Sequence, residues 1–163
     1  CKHRPLTIRR RHAGSGLMRR GWGSWQLRCT NASGKGGAVS AVVEDFVARC
    51  AADDRINGKF ARTDIPRLKK MLVDQVTQAT GGPATYSGRD MKETHAGMGV
   101  TAGEFDALVE DLVASLDHLA VPKEDQGELL GLLAPMRGEI VEIESPETGQ
   151  PLPETYQPAP ALS

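Results

Sequence analysis

Four stretches of this chain repeat apolar residues at the three- and four-residue spacing of an α-helix, and none alternates with period two, which confines the fold to helices packed on helices. Val39, Val42, Val43, Phe46, Val47 and Cys50 share one face over residues 38–52. A second face runs Leu68, Met71, Leu72, Gln75, Val76 and Ala79. A third runs Phe105, Leu108, Val109, Leu112, Leu116 and Leu119, and a fourth Leu129, Leu130, Leu133, Met136, Ile140 and Val141. The punctuation agrees with the periodicity. Asp64 ahead of Pro66 predicts a helix start, because proline is tolerated where its missing N–H would be unpaired. Gly81, Gly82 and Pro83 predict the end of that helix. Thr101 and Glu104 have capping-box spacing, and Pro122 opens the last helix. Residues 51–63 predict a loop with at most a short turn, anchored by Phe60. Residues 90–96 predict a short helical turn that puts Met91 and His95 on one side. The expectation is a single all-α domain of about five helices.

A length of 163 residues has room for one domain, and with aromatics at only 4% its core must be aliphatic. No apolar run is long enough for a membrane helix, so no membrane span is expected. Residues 1–36 carry nine Lys or Arg and no Asp or Glu, which leaves 11 basic against 21 acidic residues in the remainder. This opening holds Trp22 and Trp25 but has neither helical periodicity nor the apolar core of a signal peptide. It reads as a basic disordered leader, with Met18 a candidate internal start. A nucleic-acid or anionic-membrane arm is the sharper alternative, and no nucleic-acid partner is expected. Residues 145–163 hold five of the ten prolines and few large apolar side chains, the composition of a disordered tail. The folded domain is therefore expected over residues 37–144. Cys1, Cys29 and Cys50 are odd in number and widely spaced, which indicates neither a disulfide framework nor a zinc ribbon and makes a reducing cytoplasm the expected setting.

The familiar catalytic strings are missing. There is no GxSxG, HExxH or dinucleotide-binding GxGxxG, and the GKGG run at residues 34–37 lacks the hydroxyl residue a phosphate loop needs after its lysine. Asp53 with Asp54 reads as solvated charge, and Cys50 as a small core residue. His3 and His12 fall in the leader, and His118 suits the negative end of its helix. His95 keeps different company, with Met91 one turn before it and Gly97 and Gly99 just after. Taken alone, it is either a satisfied structural histidine or a ligand. Gln75 is a polar amide on an otherwise apolar face, so it either reaches a backbone group or faces a cavity that holds something polar.

The strings VVEDF, ADDR with Phe60, LKKMLVDQV, GGPATYSGRDM, KETHAGMGVT and FDALVEDL resemble the group I truncated haemoglobins over residues 34–143. The most specific piece is GGPxxYxGRxMxxxHxGxGVT, over residues 81–101. The resemblance implies a two-over-two helical sandwich around a haem b. It makes His95 the axial iron ligand, bound through a neutral imidazole nitrogen, and packs Phe60 on the porphyrin. Leu68, Met71, Leu72, Gln75 and Val76 would face the distal side. Met91, Val100, Phe105 and Val109 would line the proximal wall and the base of the pocket. An apolar pocket between helices with one nitrogen base is also what a haem requires.

The implied function is reversible binding of dioxygen, nitric oxide or another small diatomic gas by a monomer or weak dimer. Nitric oxide dioxygenation with an external reductase, a haem-based sensor without turnover, and a haemless helical interaction domain are the alternatives. The departures from the family pattern fall at the polar positions. Val47 stands where many members place a tyrosine, and Leu72 where many place a glutamine, leaving Gln75, one turn further on, as a substitute donor. The paired phenylalanines of the haem edge are reduced to Lys59 and Phe60. Met71 replaces a basic residue that often reaches a haem propionate, a role that Arg62, Arg67 or Lys70 could take over.

Overall fold

The computed structural model describes residues 37–79 and 85–158. The basic leader, the Gly81, Gly82 and Pro83 stop signal and the last five residues of the tail lie outside the described residues. Helix α1 (Ala38–Ala52) buries its entire apolar face, from Ala38 and Val39 to Val47 and Cys50. A face covered on that scale needs two neighbours, and α1 packs on both α2 (Ile65–Ala79) and α4 (Ala102–His118). The loop between α1 and α2 closes with a 3-10 turn over Asn57–Phe60, as its composition predicted. Arg55 ties the start of this loop to Asp53 and to Glu110 of α4, with its guanidinium 2.8 and 2.7 Å from the two carboxylates.

Helix α3 (Met91–His95) is one short turn, started by Asp90, whose side chain accepts from the Glu93 N–H at 2.7 Å. Thr101 and Glu104 form the expected capping box, each side chain bonded to the other's backbone N–H, and open α4. Helix α4 ends in a Schellman arrangement. Ala120 takes a left-handed φ of 53°, its N–H donates to Asp117 O, and Val121 N–H donates to Leu116 O. Among the described residues there is no strand, only an isolated parallel bridge between Thr101 and Ile143.

Two expectations are corrected. The last helix was expected to run unbroken to Val141. It is instead α5 (Lys123–Leu133), a 3-10 turn over Ala134–Met136 and α6 (Arg137–Ile140), because Pro135 has no N–H to continue the ladder. The tail expected to be disordered from residue 145 is laid against the domain as far as residue 158. Ser145 O accepts from Gly103 N–H at 2.9 Å, Gly149 N–H donates to Arg55 O at 2.7 Å, and Gln150 N–H donates to Glu104 Oε1 at 2.8 Å. The anchors are backbone groups, which amino-acid composition does not report.

Candidate functional site

His95 closes α3, and its position follows from local chemistry. The Tyr86 hydroxyl donates to Arg89 O at 2.8 Å, pulling the entering chain tight. Gly88 lies under the Tyr86 ring, where an added Cβ would come within 2.6 Å of Cε2. The spacing Tyr86, Gly88 is thus a packing requirement, and it aims the short helix that follows.

The ring nitrogen Nδ1 of His95 lies 2.7 Å from Met91 O, one turn earlier. A carbonyl can only accept, so Nδ1 carries the proton and Nε2 keeps the lone pair. Burial pushes the imidazole below its usual range, against the opposite pull of the Met91 carbonyl and the Glu142 charge. A neutral imidazole with an oriented Nε2 lone pair is the form in which histidine binds a metal.

Across from α3, helix α2 is strongly amphipathic yet has no fully buried residue. Leu68, Met71, Leu72, Gln75 and Val76 are all half-buried, and of these only Leu72 and Val76 pack on the central cluster. Leu72, Gln75 and Val76 also line an almost wholly apolar cavity of about 90 Å³, together with Val42, Phe46, Leu108, Leu112, Leu133 and Met136. A wider groove of about 560 Å³ is rimmed by the pairs Lys69 with Glu44 and Lys70 with Asp74, and includes none of the predicted apolar haem contacts. Phe60 is half-buried against the core at the end of its 3-10 turn. Val100 and Phe105 are buried, while Met91 and Val109 are half-buried.

Met91 joins the two sides. Its carbonyl holds His95, and its sulfur lies 3.9 Å from Gln75 Nε2, which also lies 3.8 Å from Met136 Sδ. Gln75 therefore reaches two thioethers, weak acceptors that leave its amide easy to redirect. Val47 is buried in the central cluster and carries no donor. Of the basic side chains offered for a propionate, Arg62 donates to Tyr156 O at 2.7 Å and Lys70 pairs with Asp74 at 2.8 Å. Arg67 is fixed at its backbone, where its N–H donates to Asp64 Oδ1.

Sequence reasoning missed Lys59, Glu104 and Glu142. Lys59 is buried and donates to Met98 O at 3.0 Å and Gly99 O at 3.1 Å, with Glu104 Oε2 at 3.5 Å. Glu142 accepts from Gly97 N–H and Gly99 N–H, at 2.8 and 2.6 Å. Glu104 was readable only as a cap, and nothing in the sequence marks Glu142.

A half-covered apolar helix face and, across the Met91–Gln75 contact, one neutral imidazole are the chemistry that could hold a haem. The donor set is one nitrogen, and among the described residues no three His, Cys, Asp or Glu side chains cluster as an independent metal site. Comparison with known proteins points the same way. The sequence model of the Bacterial-like globin family matches residues 30–142. The chain is 39% identical over 103 residues to the group 1 truncated hemoglobin GlbN of Mycolicibacterium paratuberculosis, covering 63% of this chain and 76% of that one. The truncated hemoglobin of Tetrahymena pyriformis in its Fe(III) form superposes with a TM-score of 0.62 at 31% identity, covering 69% of this chain and 97% of that one. A Synechococcus 2/2 hemoglobin, in the cyanomet state with covalently attached heme, superposes with a TM-score of 0.56 at 31% identity, covering 64% and 89%. The all-helical architecture is thus the two-over-two globin fold, and the chain belongs to the bacterial-like globins and, among them, to the group 1 truncated haemoglobins, a family that binds small ligands at haem.

Proposed function

We propose that the chain holds one haem b with His95 Nε2 as its protein ligand, and binds dioxygen, nitric oxide or another small diatomic reversibly on the side lined by α2. The observation that carries this reading is the Nδ1–H bond from His95 to Met91 O, 2.7 Å long, opposite an amphipathic helix with no buried residue. When bound, the haem would supply an iron able to take up a small diatomic ligand.

The chain's own residues do the rest. The Met91 carbonyl fixes the ring plane and tautomer of His95 and raises the donor strength of Nε2. Burial keeps the ring neutral, so protons compete weakly for that lone pair. Phe60, Leu68, Met71, Leu72, Val76, Met91, Val100, Phe105 and Val109 supply apolar walls that keep water away from the iron. Val47 and Leu72 offer no hydrogen to a ligand. Gln75 carries an amide on the same face and becomes the candidate donor.

Titration of the haem-free chain with haemin tests the reading. One equivalent per chain is expected to be taken up with a sharp Soret band, and the reduced product is expected to bind oxygen and carbon monoxide and release them on degassing. Haemin that stays in solution, or that binds with no saturating stoichiometry, contradicts it.

A further inference from the structure

The match to the globin family ends at Glu142, yet the chain continues to contact the domain beyond that point. We propose that Glu142 and the strap that follows it, residues 145–156, position the iron ligand by clamping the turn on which His95 ends. The inference rests on His95 being that ligand.

Three sets of contacts converge on the turn. Gly97 and Gly99 both take left-handed φ values, 80° and 64°, and so aim their N–H groups into a concavity that the Glu142 carboxylate fills with one oxygen on each. Immediately after, Glu142 N–H and Ile143 N–H both donate to Val100 O, and Ala102 N–H donates back to Ile143 O. Lys59 holds the turn from behind. Its Nζ donates to Met98 O and Gly99 O and, at 3.5 Å, to Pro151 O of the strap.

The strap is fastened along the domain's edge. The Thr101 hydroxyl donates to Glu147 O, Gln150 N–H donates to Glu104 Oε1, and Arg62 donates to Tyr156 O. Gly103 admits this approach, because an added Cβ there would collide with Pro146 O and stand 2.6 Å from Pro146 C and 2.8 Å from Glu147 O. His95 precedes the clamped turn by two residues, and Met98 N–H donates to His95 O at 3.1 Å, so a displacement of the turn is transmitted to the ring.

The test uses the full haem-loaded chain in its ferrous state and reads two quantities, the iron–histidine stretching band in resonance Raman and the rate of haem transfer to excess apomyoglobin. Glu142→Ala frees the turn directly, and Gly103→Ala lifts the strap without altering a strap residue. Both are expected to shift or broaden the band and to speed haem transfer by roughly ten- to a hundredfold, the range for partners that orient a metal ligand. Glu142→Gln keeps one acceptor oxygen and recovers part of the effect, and it carries the test with Gly103→Ala should Glu142→Ala not fold. Glu144→Ala, which loses only the Arg137 pair, serves as the control and is expected to match the unmodified chain. A band and a transfer rate unchanged in both Glu142→Ala and Gly103→Ala overturn the inference. An unmodified chain with no iron–histidine band overturns the ligand assignment beneath it instead.

Discussion

At the scale of single residues, the polar character of the ligand side depends on which groups can donate. Val47 and Leu72 cannot, and among the described residues Gln75 Nε2 lies 3.9 and 3.8 Å from two sulfurs, Met91 Sδ and Met136 Sδ. Turning from a thioether toward a ligand with partial negative charge exchanges a weak bond for one on the order of 1 to 3 kcal/mol. Gln75→Leu should then raise the oxygen dissociation rate roughly tenfold or more, with carbon monoxide little affected, because it develops less charge. Stopped-flow ligand replacement measures both, and equal rates for Gln75→Leu and the unmodified chain would exclude the amide as donor. Cys50 supplies a second residue-scale prediction. It is buried on α1, and its thiol is pushed up to about 12 by burial and by the Asp111 and Asp53 carboxylates. At about pH 8 it should therefore resist alkylation in the folded chain and react only in denaturant, as peptide mapping by mass spectrometry would show. Modification of native Cys50 at the rate of an exposed thiol would contradict its placement. His95 and Gln75 were legible as unusual residues, since each is polar in apolar company. Glu142 was not legible, because its partners are backbone amides more than forty positions away in sequence.

At the scale of elements, periodicity and capping carried most of the fold. The faces of α1, α2 and α4, the Thr101 cap and the start at Asp64 follow from local spacing, and on α1 and α4 burial agrees with it. Pro135 marks the break in the sequence, but the apolar pattern continues past it in register and so masks it. The end of α4 shows a local conflict of a different kind. Ala120 occupies the left-handed position of a Schellman cap that glycine fills at lower cost. Ala120→Gly is expected to stabilise the chain by up to about 1 kcal/mol, the relief of left-handed strain less the extra entropy glycine gives the unfolded state. A urea midpoint that moves upward with an unchanged slope checks it, and a midpoint that falls would mean that the alanine methyl makes contacts worth more than the strain.

At the scale of the whole molecule, a packed unit formed by α1, α2 and α4 brings Gln75, on the half-covered face of α2, against Met91 of the short helix that carries His95, and from Glu142, the last residue of the family match, onward the chain returns to the turn at that helix's exit. Composition marked residues 145–163 as a tail because prolines and polar side chains bury little. It could not show that Ser145, Glu147, Gly149, Gln150 and Pro151 would be held through their backbone groups. The family resemblance was legible in the spacing through residues 81–101, and over its described part, residues 85–101, that spacing encodes the Tyr86–Gly88 packing, the Asp90 cap and the left-handed Gly97 and Gly99. Haem binding by this chain turns on one nitrogen, His95 Nε2, and the most direct test is the spectrum of the reduced, haem-loaded His95→Gly chain before and after imidazole is added. Weak or lost haem binding and no iron–histidine band are expected in the variant, with free imidazole restoring the spectrum of a histidine-ligated iron. A variant that retains the unmodified ferrous spectrum without imidazole would contradict it.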